Sequence, residues 1–122
     1  MMKMWIDDVR PAPKGYRWIK TVNEAKMCFK GMARFEEYYD ENHQLCCIKK
    51  FNVEVIDIDH DAGDYGSPAD GGDYIEFLNW LEYNAYVNDW IIPPIKIHSM
   101  NPVGVQKMKA IIKANGWTER ID

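Results

Sequence analysis

Short apolar strands that each close on polar residues alternate with amphipathic helices along this chain, and no other feature limits its fold as tightly. Lys3-Met4-Trp5-Ile6-Asp7 reads as a strand running into the acidic pair Asp7-Asp8. Val53-Glu54-Val55-Ile56-Asp57-Ile58-Asp59 is rich in β-branched residues and runs into Asp59-His60-Asp61. Ile95-Lys96-Ile97-His98 leads to Ser99-Met100-Asn101, and Arg17-Trp18-Ile19-Lys20 fits a further short strand. Strands separated by helices pair in parallel through right-handed crossovers. The expected product is an α/β fold: a small three-layer sandwich, with helices on both faces of a parallel sheet of about four to five strands.

Local signals place the helices and loops. Thr21 and Glu24 have capping-box spacing, with Asn23 a rival cap. Ala25, Cys28, Met32, Phe35 and Tyr39 then recur every three or four residues, which predicts one helix through that whole stretch. Asp40–Gln44 is polar loop. A second helix starts near Asp73 and buries Tyr74, Phe77, Leu78, Leu81 and Ala85. Asn101-Pro102 opens a third, Asn as N-cap and Pro at the first helical position, with Val105, Met108 and Ile112 inward. Gly116 stops it. Pro11, Pro13 and Gly15 forbid a regular element between the first two strands.

The 122 residues fit a single domain, 1–122, and 47% hydrophobic residues with five Trp, seven Tyr and four Phe promise a core without crosslinks. Apolar runs are too short for a membrane span, and the N-terminus meets two carboxylates too early for a secretory signal. Three cysteines with no C-x-x-C pair are neither a disulfide framework nor a zinc ribbon, so a reducing cytoplasm is expected. His43 with Cys46 and Cys47 reads as loop and strand edge rather than half a metal site. A net charge of −4 argues against bulk binding to DNA or long RNA, but not against a small anionic ligand.

In an open parallel sheet the C-terminal strand ends share one edge, where ligands bind. Asp7, Asp8, Asp59, His60, Asp61, His98, Ser99 and Asn101 converge there by topology alone. Carboxylates from two strand ends are hard oxygen ligands suited to magnesium or manganese. Two histidines beside a phosphate can serve as acid and base near neutral pH. Arg10 can clamp phosphate oxygens, and the helix opening at Asn101 turns free N–H groups toward the same edge. Each has a plainer reading: Asp7-Asp8 as a solvated strand end, Asp59-His60-Asp61 as a hydrogen-bonded turn, His98 as a satisfied core histidine, Arg10 as half of an ion pair. Lys20 reads as scattered surface charge. Asp57, inside its strand, needs a partner if buried, and Lys96 is the candidate.

Three segments, W-I-D-D-V-R-P-A-P-K-G-Y (5–16), D-H-D-A-G (59–63) and I-H-S-M-N-P-V-G (97–104), resemble the cyclic-phosphate-processing receiver-like domains, and the likeness runs from Met4 to about Gly116. It implies a shortened receiver-like (flavodoxin-like) fold. It matches Asp7, Asp8 and Asp59 to carboxylates that hold a divalent cation in receivers, Ser99 to the hydroxyl ending the fourth receiver strand, and His60 and His98 to histidines that ordinary receivers lack. Ala62 stands where the pattern usually has a larger aliphatic residue. The expected activity is that of a metal-dependent phosphoesterase on a 2′,3′-cyclic phosphate of a nucleotide or RNA end. Asp8 and Asp59 hold the metal, with Asp7 as third ligand or through water. His60 and His98 are acid and base, Asp61 orients His60, and Arg10, Ser99 and Asn101 hold phosphate oxygens. The alternatives are a phospho-acceptor switch on Asp59, against which stands the lack of a matching lysine, and a protein that captures a cyclic nucleotide without cutting it.

Overall fold

A computed structural model describes all of residues 1–122. Five strands, β1 (Met2–Ile6), β2 (Tyr16–Ile19), β5 (Val53–Ile58), β6 (Ile95–Ile97) and β7 (Glu119–Arg120), form one sheet in the order β2-β1-β5-β6-β7. Every pairing in it is parallel. The helices are α1 (Val22–Gly31), α2 (Ile75–Asn88) and α3 (Pro102–Ala114). The α/β architecture, the parallel sheet and the receiver-like strand order agree with the sequence.

The second helical layer does not form. The crossovers β2→β5, β5→β6 and β6→β7 all step the same way across the sheet, so right-handedness puts α1, α2 and α3 on one face. There α2 packs against both α1 and α3. Only β1→β2 steps the other way, and its connection is the proline-containing loop. The helix-side face supplies Met4, Ile6, Ile19, Ile56, Ile58 and Ile95, all fully buried in one core of 19 residues with Phe29, Phe77, Leu81 and Met108. The opposite face carries Trp5, Trp18, Asp57, Lys96 and Arg120 in one lateral row. Val55 on that face is buried but outside the core cluster.

The first helix is shorter than the periodicity predicts. It ends at Gly31, capped at its start by Thr21 Oγ1 accepting from the Glu24 N–H. Phe35 and Tyr39 lie instead on β3 (Ala33–Tyr39), which pairs antiparallel with β4 (Leu45–Phe51) as a separate two-stranded hairpin. Both rings are more than two-thirds exposed, at 72% and 71%. The turn is held by Asp40 Oδ1, which accepts from the N–H groups of Asn42 and Gln44, with His43 left-handed at φ 59°. The base of the hairpin joins the core through Phe51, stacked 4.0 Å from Phe29 and edge-on to Trp90. The third helix runs as expected: Asn101 Oδ1 accepts from the Gly104 N–H, and Gly116 follows with φ 66°. No helix is long and apolar enough to cross a membrane.

Candidate functional site

The strand ends converge as the topology requires. Ligand atoms of Asp7, Asp8 and Asp59 all lie within 4.8 Å of one another. Asp7 is fully buried, and Asp59 is 7% exposed. Asp7 Oδ1 accepts from the N–H groups of Val9 and Arg10, both at 2.9 Å. Burial alone raises the Asp7 carboxyl; those two N–H groups and the His98 ring outweigh it and hold the group below the ordinary range. Asp8 goes the other way. Burial, followed by the charges of Asp7 and Asp59, lifts its carboxyl above the ordinary range. Asp59 Oδ1 accepts from the His60 N–H at 2.8 Å. Beneath the cluster, the buried Tyr74 hydroxyl donates to the Lys20 carbonyl at 2.7 Å and ties α2 to the end of β2.

Two glycines make room for this geometry. A Cβ on Gly63, whose φ is +54°, would stand 2.4 Å from Asp8 Oδ2. A Cβ on Gly104 would stand 2.3 Å from His60 Cγ, so the ring of His60 lies directly on the first turn of α3. The glycines that close the D-H-D-A-G and H-S-M-N-P-V-G segments thus serve as seats for a carboxylate and an imidazole. Ala62 is completely buried, and its N–H donates to Asp73 Oδ1.

The two histidines occupy different environments. His60 Nδ1 pairs with Asp61 Oδ1 at 2.9 Å, and the Asn101 amide donates to both Asp61 oxygens at 3.3 and 3.4 Å. The His60 contact, followed in effect by that amide, depresses the Asp61 carboxyl. His60 Nε2 has no protein partner, and no unpartnered side-chain nitrogen or oxygen is buried, so Nε2 is open to solvent. His98 has both nitrogens engaged, Nδ1 by Asp57 at 2.5 Å and Nε2 by Asp7 Oδ2 at 2.9 Å. Its ring stacks on Trp5 at 3.8 Å and 5°. The ring thus bridges two buried carboxyl groups, one from the end of β1 and one from within β5. Both nitrogens of His98, for which an acid–base role is expected, are thus held within the protein. The partner expected for Asp57 is corrected: it is His98, while Lys96, its neighbour in register, donates to the Asp122 carbonyl.

The remaining expected residues are at the same edge. Arg10 is half-exposed; its Nη1 donates to the His98 carbonyl at 2.9 Å, and its Nη2 has no protein partner. Ser99 Oγ accepts from the Asn101 N–H at 3.2 Å. The role of Trp5, whose indole N–H donates to the Arg10 carbonyl while its face supports His98, had no signal in the sequence. The largest cleft lies elsewhere, against α1, between Met2, Arg17, Met27, Cys28 and Met32.

No curated protein matches the chain, and no solved structure does. A family model does: that of the cyclic-phosphate processing receiver domain matches residues 2–114, which include every strand end described above. With the parallel β2-β1-β5-β6-β7 sheet and the acidic cluster at its C-terminal edge, the chain belongs to the cyclic-phosphate processing receiver domain family.

Proposed function

We propose that the chain is a divalent-metal-dependent phosphoesterase that opens a cyclic phosphate, the 2′,3′-cyclic phosphate of a nucleotide or RNA end. One observation carries this reading. Three carboxylates converge within 4.8 Å beside a histidine whose Nδ1 is fixed by Asp61 and whose Nε2 is open. The description of the family points to the same chemistry.

The donor set fits a hard cation. An Asp8 carboxyl lifted by burial and two like charges is relieved by a positive ion, and the space left by Gly63 seats its Oδ2. Asp8 and Asp59 would hold magnesium or manganese. Both oxygens of Asp7 are already engaged, so Asp7 fits a contact through water and a contribution of charge. A cation bound there supplies Lewis-acid polarisation of a phosphoryl oxygen and a more acidic water.

The chain's own residues supply the rest. Asp61 accepts the Nδ1–H of His60, which leaves Nε2 as the basic nitrogen that takes or returns a proton at the phosphate. Asn101 fixes Asp61 in turn. Arg10 offers Nη2 and Ser99 its hydroxyl proton to non-bridging oxygens. Both nitrogens of His98 are engaged by Asp7 and Asp57, so the second proton transfer falls to water. A phospho-acceptor switch would want a lysine at the end of the strand beyond β6, where β7 carries Glu119 and Arg120, and Lys96 on β6 is tied to Asp122, which favours the enzyme. Phosphorus NMR of 2′,3′-cyclic mononucleotides with the protein tests the reading. The cyclic signal should convert to a monoester with magnesium or manganese and stop with chelator. Binding without conversion would make it a capture protein.

A further inference from the structure

Strand order sets the edge groups in a line. Lys20 follows β2, Asp7 and Asp8 follow β1, Asp59 and His60 follow β5, and His98 and Ser99 follow β6. The carboxylates therefore have His60 on one flank and the end of β2 on the other. On that second flank, two rings from separate segments converge on one ammonium. Lys20 Nζ lies 4.5 Å from the centre of the Trp18 ring and 5.6 Å from that of Tyr65. Both rings stay open to solvent, 36% and 38% exposed. Both adjoin the segments that carry the carboxylates. The Trp18 indole N–H donates to the Asp7 carbonyl at 2.8 Å, and Tyr65 ends the 3₁₀ turn that begins with Gly63, the residue seated against Asp8. Lys20 forms no ion pair although it borders an acidic site. Two solvent-open rings that share one uncommitted cation suit an aromatic ring attached to an anion.

We infer that Trp18, Lys20 and Tyr65 form the nucleobase subsite of the centre. The base stacks against Trp18 and Tyr65, and Lys20, displaced from the two rings, turns to the nucleotide's phosphate. This rests on the cyclic-phosphate reading and narrows it: the substrate is a nucleotide or a nucleotide end, with the base on the side of the carboxylates away from His60. Stacking tolerates any base, so selectivity among bases is weak.

The test compares two probes by titration calorimetry in chelator, where no turnover occurs: adenosine 2′,3′-cyclic phosphate and base-free methyl riboside 2,3-cyclic phosphate. The wild-type protein should bind the nucleotide on the order of tenfold more tightly, as expected for one stacked base. Tyr65→Ala should bind both alike, and Tyr65→Phe should keep the preference. Tyr65 suits the test because its hydroxyl has no partner and its backbone N–H bond to Ala62 survives the change. A wild-type protein that binds the probes equally or binds neither, or a Tyr65→Ala variant that keeps the preference, overturns the subsite. Hydrolysis of both probes with equal KM after adding magnesium also overturns it while leaving the phosphoesterase intact. A base preference that depends on Tyr65, with neither probe hydrolysed, upholds the subsite and removes the phosphoesterase.

Discussion

Gly104→Ala should separate the catalytic geometry from the stability of the fold. An added Cβ would lie 2.3 Å from His60 Cγ. Carbon atoms rest about 3.5–4.0 Å apart, so the ring must withdraw by about 1.2 Å or more. The helix itself gains, because alanine is better than glycine in a helix by up to roughly 1 kcal/mol. Against that gain stands loss of the His60–Asp61 contact, about 1 kcal/mol at most for a pair whose acid is half-exposed. The two nearly cancel, so the melting temperature should move by no more than roughly 4 °C. Activity should not be spared. A misplacement of about 1 Å can cost on the order of 100-fold, and His60 Nε2 is the group displaced. Rates on a 2′,3′-cyclic nucleotide followed by phosphorus NMR, beside a thermal melt, read both effects. The variant should melt like the wild-type protein and react as slowly as His60→Ala. A Gly104→Ala protein within threefold of the wild-type rate would refute the reasoning that the helix seats the ring.

Other expectations follow from the charges. His98→Ala leaves the buried Asp57 without its partner and Asp7 with only its Oδ1 bonds and should cost about 3–5 kcal/mol in urea unfolding, whereas His60→Ala should cost under about 1 kcal/mol; equal, small losses would contradict the bridging role of His98. Asp7, with its carboxyl held low, contributes stability that is present above its unfolded pKa of about 4 and lost as pH falls through its lower folded value, so Asp7→Asn should flatten the acid limb of the stability curve. Asp8 has the opposite sign: its raised carboxyl contributes stability below its unfolded pKa that is lost as pH rises through its folded one. Asp8→Asn should therefore melt higher than the wild-type protein in chelator at neutral pH, and magnesium should raise the melting temperature of the wild-type protein alone. A wild-type-like response to magnesium in Asp8→Asn would remove Asp8 from the metal site.

The sheet and its reactive edge were legible because strand ends carry their polar residues in plain sequence. Asp7-Asp8, Asp59-His60-Asp61 and His98-Ser99 can meet only at one edge once the strands pair in parallel. The hairpin was not legible. Met32, Phe35 and Tyr39 continue the spacing of Ala25 and Cys28 past Gly31, the one local residue that disfavours helix there. The choice between helix and strand there depends on Phe51 finding Phe29 and Trp90, a tertiary contact. Helices on both faces were expected from alternation alone, but the missing layer follows from strand order, which alternation does not specify. The fate of His98 likewise depends on tertiary contacts. Asp57 looks like an anomaly within a strand until its 2.5 Å contact shows it facing the imidazole, on the lateral row that also holds Trp5. Gly104 was visible as a letter in a motif, and its reason appears only when His60 is seen to lie on it.

The most direct test is the single-turnover rate of 2′,3′-cyclic AMP opening in magnesium, for the wild-type protein and His60→Ala at matched stability. The account predicts metal-dependent conversion to a monoester that falls roughly 100-fold or more in the variant, since a general acid–base group contributes about that much. Conversion at the same rate in both, or conversion undiminished by chelator, would contradict it.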